Sequence, residues 1–212
     1  MPDADVRLAA VIAAIDAANA RDPNRIDIDG SPEPAALCYG WRMSDTLARM
    51  APDASLHLRI AARGQHIERW TTPRTNYPAG RAGYLGWRNH LKVFHAKRIG
   101  EIMAAAGFSA GDIARVGALV RKERLKRETE AQMLEDVACV VFLAYYVGDV
   151  MAKADDDKLA GILARTWHKM SPFGHEHALR LPLPPTIPRL LKQGLAGAQD
   201  AGAQNGDEED DR

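Results

Sequence analysis

The chain has 212 residues, 46% of them hydrophobic and 26% charged, with zero formal net charge; this is the make-up of a globular protein, not of a disordered, collagen-like or disulfide-stapled one. No apolar run approaches the roughly 18 to 20 residues that cross a bilayer, and the opening MPDADVRLAAVIAAID carries acids where a secretory leader carries bases, so a cytoplasmic protein without a membrane partner is expected. Cys38 and Cys139 lie far apart without CxxC spacing, which suggests neither a disulfide framework nor a zinc knuckle and reads them as small apolar core residues.

Val6, Ala9, Val11, Ile12 and Ile15 recur at helical spacing and predict a first helix, ending before RDPNRIDIDGSPEP, which reads as a loop. Ala35 to Met50 predicts a second helix. Pro52 and Asp53 open a third, with Leu56, Ile60 and Ile67 as its buried stripe and the prolines of TTPRTNYPAG as its stop. Tyr84 to Ala106 predicts a fourth, closed by a left-handed Gly107. Ser109 and Asp112 form a capping box for a fifth, which runs to the basic stretch RKERLKR, taken as a solvated helix end.

Residues 129 to 152 predict the most apolar helix, and Asp155 to Met170 an amphipathic one; SPFGHEHALRL adds a helical turn or two before prolines 182, 184, 185 and 188 mark a loose end. From Gly197 onward six acids face Arg212 alone, so this tail carries −5 and the body +5. Its Gly, Ala, Gln and acidic residues cannot bury enough apolar surface to offset chain entropy. The expected architecture is therefore all-α: a single-domain multi-helix bundle over 1–195 and a disordered acidic tail over 196–212.

Residues 59–98 hold nine bases against one acid, Glu68, a lopsided block that points to a partner carrying negative charge. On a helix continued from 59 to 70, Arg59, Arg63, His66 and Trp70 share a face, with Gln65 and Arg69 at its edge; Arg88, Lys92 and His95 repeat the pattern on the fourth helix. Glu135 and Asp136 interrupt the apolar helix, where an ionised carboxylate is costly unless it meets a cation.

Two histidines and a carboxylate from three helices can ligate a divalent metal (Mn, Fe, Zn, Ni or Mg). Equally, His66 and His95 can be hydrogen-bonded structural residues, with the acids neutralising a buried arginine. Trp70 and Trp87 flank the basic block and can stack on a base or simply pack. His90 falls out of step with His95, His57 has no identifiable partner, and His168, His175 and His177 do not converge on one face.

These stretches, together with IDAANARDP, YGWRMSDTLARMAPDAS, PRTNYPAGRAGYLGWRNHLKVFHAKRIGEIMAAAGF, QMLEDVACVVFL and TWHKMSPFGHEHAL, resemble the family known as domain of unknown function 4202, over about residues 8 to 183. More distantly, HAKRIGEIMAAAGFSAGDIARVGALVRKERLKRETEAQMLEDVACVVFL resembles the second half of HD-domain phosphohydrolases, and AARGQHI their HD-bearing segment. That resemblance implies an HD-like fold, His95 as the helix-opening histidine and Asp136 or Glu135 as the late acid. Gln65 and His66 then stand where the family has its His-Asp doublet, and Tyr39 stands near its first histidine, with Arg42 following. Lys122 and Glu123 fall where some members carry another histidine.

Two functions follow. One is a metal-dependent phosphohydrolase acting on a nucleotide or another small phosphoester. Its metal ligands are His66, His95 and Asp136, its phosphate-binding cations Arg63, Arg69, Arg74, Arg88 and Lys92, its proton acceptor Glu135 or Glu68, and its stacking residues Trp70 and Trp87. The other is a non-catalytic module holding RNA or a phospholigand on the basic surface of 59–98.

Overall fold

A computed structural model describes residues 3–204 of the chain. It is all-α apart from one two-stranded hairpin among the described residues, as the sequence predicts. The chain divides into two compact units, Met1–Leu134 and Glu135–Arg212.

The first unit contains α1 (Ala4–Asn19), the hairpin β1 (Arg25–Ile28) and β2 (Ser31–Pro34), α2 (Ala35–Met50), α3 (Leu56–Gly64), α4 (Gly80–Ala105), α5 (Ala110–Arg121) and the start of α6 (Thr129–Tyr145). α3 packs against α1, α2 and α5, and α4 lies along α5. Val11, Ile15, Met43, Ile60, Ile67, Ile99 and Met103 are wholly buried and form its core.

The loop expected between the first two helices holds the hairpin. Asp29 and Gly30 both adopt positive φ (52° and 84°), the geometry of a two-residue turn matched to strand twist, and the Asp27 carboxylate accepts the Gly30 N–H at 3.0 Å. The hairpin brings buried Asp22 to the start of α2. One Asp22 oxygen accepts from the Ala36 N–H at 2.9 Å, the other from the backbone and side chain of Asn24, so it supplies the cap that Pro34 lacks.

The third helix does not continue to residue 70. α3 stops at Gly64, where a Cβ would lie 2.6 Å from the Ile99 side chain, and the chain turns through residues 65–68. Glu68 takes a left-handed conformation (φ 50°), and its N–H is caught by Asn19 Oδ1 at 3.0 Å. Two 3₁₀ turns, Arg69–Thr71 and Arg74–Asn76, lead to α4, which begins four residues earlier than expected. Gly83 permits this return, because a Cβ there would meet the Pro78 carbonyl oxygen at 1.9 Å.

The capping box of α5 is formed as predicted: Ser109 Oγ accepts the Asp112 N–H, and Asp112 Oδ2 accepts the Ser109 N–H. Gly107 is left-handed as predicted (φ 77°). RKERLKR is a turn rather than a helix end, since α5 stops at Arg121 and Lys122, Arg124 and Lys126 all have positive φ. Arg115 joins Glu128 (2.8 Å) and Glu130, tying α5 to the start of α6.

The second unit holds the rest of α6, then α7 (Val147–Met151), α8 (Asp156–Lys169), α9 (Pro172–Leu179) and α10 (Thr186–Gln204). The helix expected over 129–152 is broken at Tyr146 (φ −126°). The loose end expected at the prolines is a helix instead: Pro188 sits in the first turn of α10, where a missing N–H breaks no intrahelical bond. α10 continues through residues 196–204, assigned from composition to the tail; residues 205–212 lie outside those described.

α10 lies against α8, with Arg189 paired to Asp156 (2.9 Å) and Gln193 to Asp157 (3.1 Å). Gly194 allows the close approach, because a Cβ there would fall 2.2 Å from the Ala160 carbonyl oxygen. Gly194→Ala is therefore expected to destabilise the protein by about 1 to 3 kcal/mol, read as a lower Tm; an unchanged Tm would contradict this packing. Among the described residues no helix is long and apolar enough to cross a membrane.

Candidate functional site

The chemistry of the first unit gathers where the 65–68 turn meets the middle of α4. His95, 3% exposed, has Nδ1 at 2.8 Å from the Ile67 carbonyl oxygen. A carbonyl only accepts, so Nδ1 carries the proton and Nε2 presents a lone pair. That nitrogen is buried and has no hydrogen-bond partner among the described residues. Burial, then the Arg69 charge and His90, push the His95 pKa down to about 3, against the smaller upward effect of the Ile67 hydrogen bond.

The His66 ring lies 5.9 Å from that of His95 and stacks on Tyr39 at 4.1 Å. Its Nε2 lies 3.1 Å from an Arg69 nitrogen, and because a guanidinium only donates, His66 is the acceptor and is neutral. Burial holds the His66 pKa well below the usual imidazole value, assisted by Arg69, His95, Lys122 and Arg88. Arg69 also covers the face of Trp87, 4.5 Å from the ring centroid. Gln65 is 5% exposed, and its Oε1 is a second buried acceptor without a partner among the described residues.

The other residues expected at the site divide by what already holds them. Arg63, 9% exposed, forms a two-pronged ion pair with Asp16 at 2.7 and 2.6 Å. Arg74 donates to the carbonyls of Tyr77, Pro78 and Gly80 and clamps the loop before α4. Glu68 pairs with Arg98 (2.7 Å) and Arg21 (3.2 Å). Trp87 donates its indole N–H to the Thr72 carbonyl at 2.8 Å, and its face is taken by Arg69. Trp70 is half-buried in a 3₁₀ turn. Arg88 stands over Tyr84 at 6.0 Å, and Lys92 is half-buried on α4.

Glu135 and Asp136 are buried in the second unit. Both Asp136 oxygens accept from Ser171, one from its N–H at 2.8 Å and one from its hydroxyl, and Ser171 Oγ accepts the Gly174 N–H. Asp136 thus braces the N-cap of α9. Gly174 is needed there, since a Cβ would lie 2.7 Å from Asp136 Oδ1.

The family model described as Domain of unknown function (DUF4202) matches residues 9–191. The chain belongs to the DUF4202 family. No curated protein and no solved structure matches it. The stretch matched to DUF4202 includes every residue of the His66–His95 cluster, together with Glu135 and Asp136.

Within this DUF4202 chain, the metal implied by the HD likeness meets few suitable donors. Among the described residues no group of three or more His, Cys, Asp or Glu side chains is placed to hold a metal ion. His66 Nε2 is engaged by Arg69, and the charges acting on His66 are cationic, which opposes a divalent ion. Periodicity in the sequence did not mark two residues that act on His66, nor the partner of His57. Tyr39 stacks on His66 from α2 and Lys122 adds its charge from the turn after α5, while His57 pairs through Nε2 with Asp112 at 2.8 Å. Only Tyr39 and Lys122 had a signal, their places in the HD resemblance.

Proposed function

We propose that the first unit binds a small phosphate-bearing molecule, a nucleotide or another small phosphoester, at the His66–His95 cluster. The carrying observation is the pairing of cations with unsatisfied polar atoms. Arg69, Arg88 and Lys122 bear on neutral His66, while His95 Nε2 and Gln65 Oε1 are buried without partners among the described residues. Native proteins leave few buried polar atoms unpaired, and an anion carrying hydrogen-bond donors satisfies both features. A small ligand is favoured over RNA because the basic block is partly spent internally: Arg63, Arg74 and Arg98 are bound to Asp16, to backbone carbonyls and to Glu68.

Titration calorimetry with inorganic phosphate and a nucleoside monophosphate tests this. Arg69→Gln is expected to weaken binding about tenfold or more, the worth of one charge-assisted hydrogen bond. Wild-type protein that binds neither probe at millimolar concentration would remove the proposal.

Hydrolysis of the phosphoester on an HD-like fold, assisted by Mn, Fe, Zn, Ni or Mg, is the second reading. It is favoured by the buried Nε2 lone pair, which resembles that of an oriented general base. It ranks lower because a base with a pKa of about 3 takes protons weakly at neutral pH. Elemental analysis and a phosphate-release screen with added metals test it; it requires near-stoichiometric metal or metal-stimulated release.

A further inference from the structure

Resting on the phosphate-ligand reading, the lone pair of His95 bears on which form of the anion suits the site. Its ring is fixed by the Nδ1–H donated to Ile67, and this leaves Nε2 able only to accept. The groups facing the ring do not change that. Arg69 and His90 oppose a second proton, and His66 and Phe94 contribute ring edges and faces at 5.9 and 5.5 Å. Among the described residues no hydrogen-bond donor reaches the nitrogen. Gln65 Oε1 adds a second acceptor on the turn that carries Ile67, though its amide can rotate.

We propose that His95 Nε2 accepts the P–O–H proton of a monoanionic phosphate, so that the site takes inorganic phosphate and phosphomonoesters and rejects sulfate and phosphodiesters. A lone pair set against an unprotonated oxyanion is repulsive, and the buried nitrogen then stays unpaired as well. Cations alone predict the opposite order, since sulfate carries more charge than monoanionic phosphate. The neighbouring His66 and Arg69 are only half-buried, so part of the cluster reaches solvent.

The test compares four probes by calorimetry on the full chain at about pH 6, where a phosphomonoester keeps roughly half of its second proton. The probes are inorganic phosphate, sulfate, methyl phosphate and dimethyl phosphate; none has a hydroxyl other than P–OH. Sulfate and dimethyl phosphate are expected to bind about tenfold to a hundredfold more weakly than their protonated counterparts. In His95→Gln, whose amide can donate as well as accept, the ratios should fall toward one. Should that variant not fold, the wild-type ratios alone decide. Equal affinity for sulfate and phosphate overturns this inference and leaves the phosphate reading standing; no binding of any probe overturns both.

Discussion

Between pH 6 and pH 5 the folded protein is expected to lose about 1.2 kcal/mol of stability through His95 alone. The unfolded imidazole titrates near 6.5, while burial and Arg69 hold the folded one down to about 3. Below 6.5 the unfolded chain therefore binds a proton that the native state refuses, so stability falls as pH falls, and continues to fall until the folded pKa is reached. Over the whole window this amounts to about 5 kcal/mol, comparable with the lower end of a domain's total stability. His66 acts in the same direction, since burial and the cations Arg69, Lys122 and Arg88 oppose its protonation too. Unpaired carboxylates titrate mostly below this interval, which makes it the clean place to look. Urea unfolding at pH 7, 6 and 5 should show a steep wild-type slope and a shallower one in His95→Gln, whatever that variant's absolute stability. Equal slopes would mean that His95 takes up its proton in the native state as readily as in the unfolded one, and the assignment of an unprotonated, buried Nε2 would be wrong.

The sequence makes visible those elements whose signals are local. Ala35–Met50 is found as predicted, and Ser109 with Asp112 caps α5 because both partners lie within one helical turn. The hairpin was hidden by its strands of four residues and by Pro32 and Pro34 in one of them, although Asp29–Gly30 is a hairpin turn signal. The end of α3 was hidden for a different reason. Gly64 against Ile99, and Asn19 holding the Glu68 N–H, are contacts across long stretches of sequence, and no window of helical periodicity contains them. The site shows the same division. Spacing singled out His66 and His95, whose rings do adjoin, but the assumed helix through residue 70 also grouped Arg63 with His66. With the chain turning at Gly64, Arg63 instead meets Asp16, forty-seven residues earlier.

That pair carries the second large expected effect. Asp16→Ala should destabilise the protein by about 2 to 3 kcal/mol, because it strands a guanidinium that is 9% exposed. The figure is set below that for a fully buried pair because the Asp16 side chain keeps 28% exposure. Gly40 packs closely on Arg63, with room for a Cβ only at 3.1 Å from its carbonyl and 3.3 Å from its Cδ, so the arginine has little freedom to swing to water. Replacing both partners, Asp16→Leu with Arg63→Met, should cost less than Asp16→Ala, since no unpaired charge is left behind. In a chain of this size the single change corresponds to a Tm lower by roughly 4 to 12 °C. Arg63→Met separates structure from ligand binding: as the partner of Asp16 it should lower Tm, whereas an Arg63 acting on phosphate would lower phosphate affinity with Tm unchanged. The ion pair also joins α1 to the end of α3, where Asn19 holds the turn whose Ile67 carbonyl orients His95. Asp16→Ala should accordingly weaken phosphate binding as well as folding, while the double replacement restores part of each.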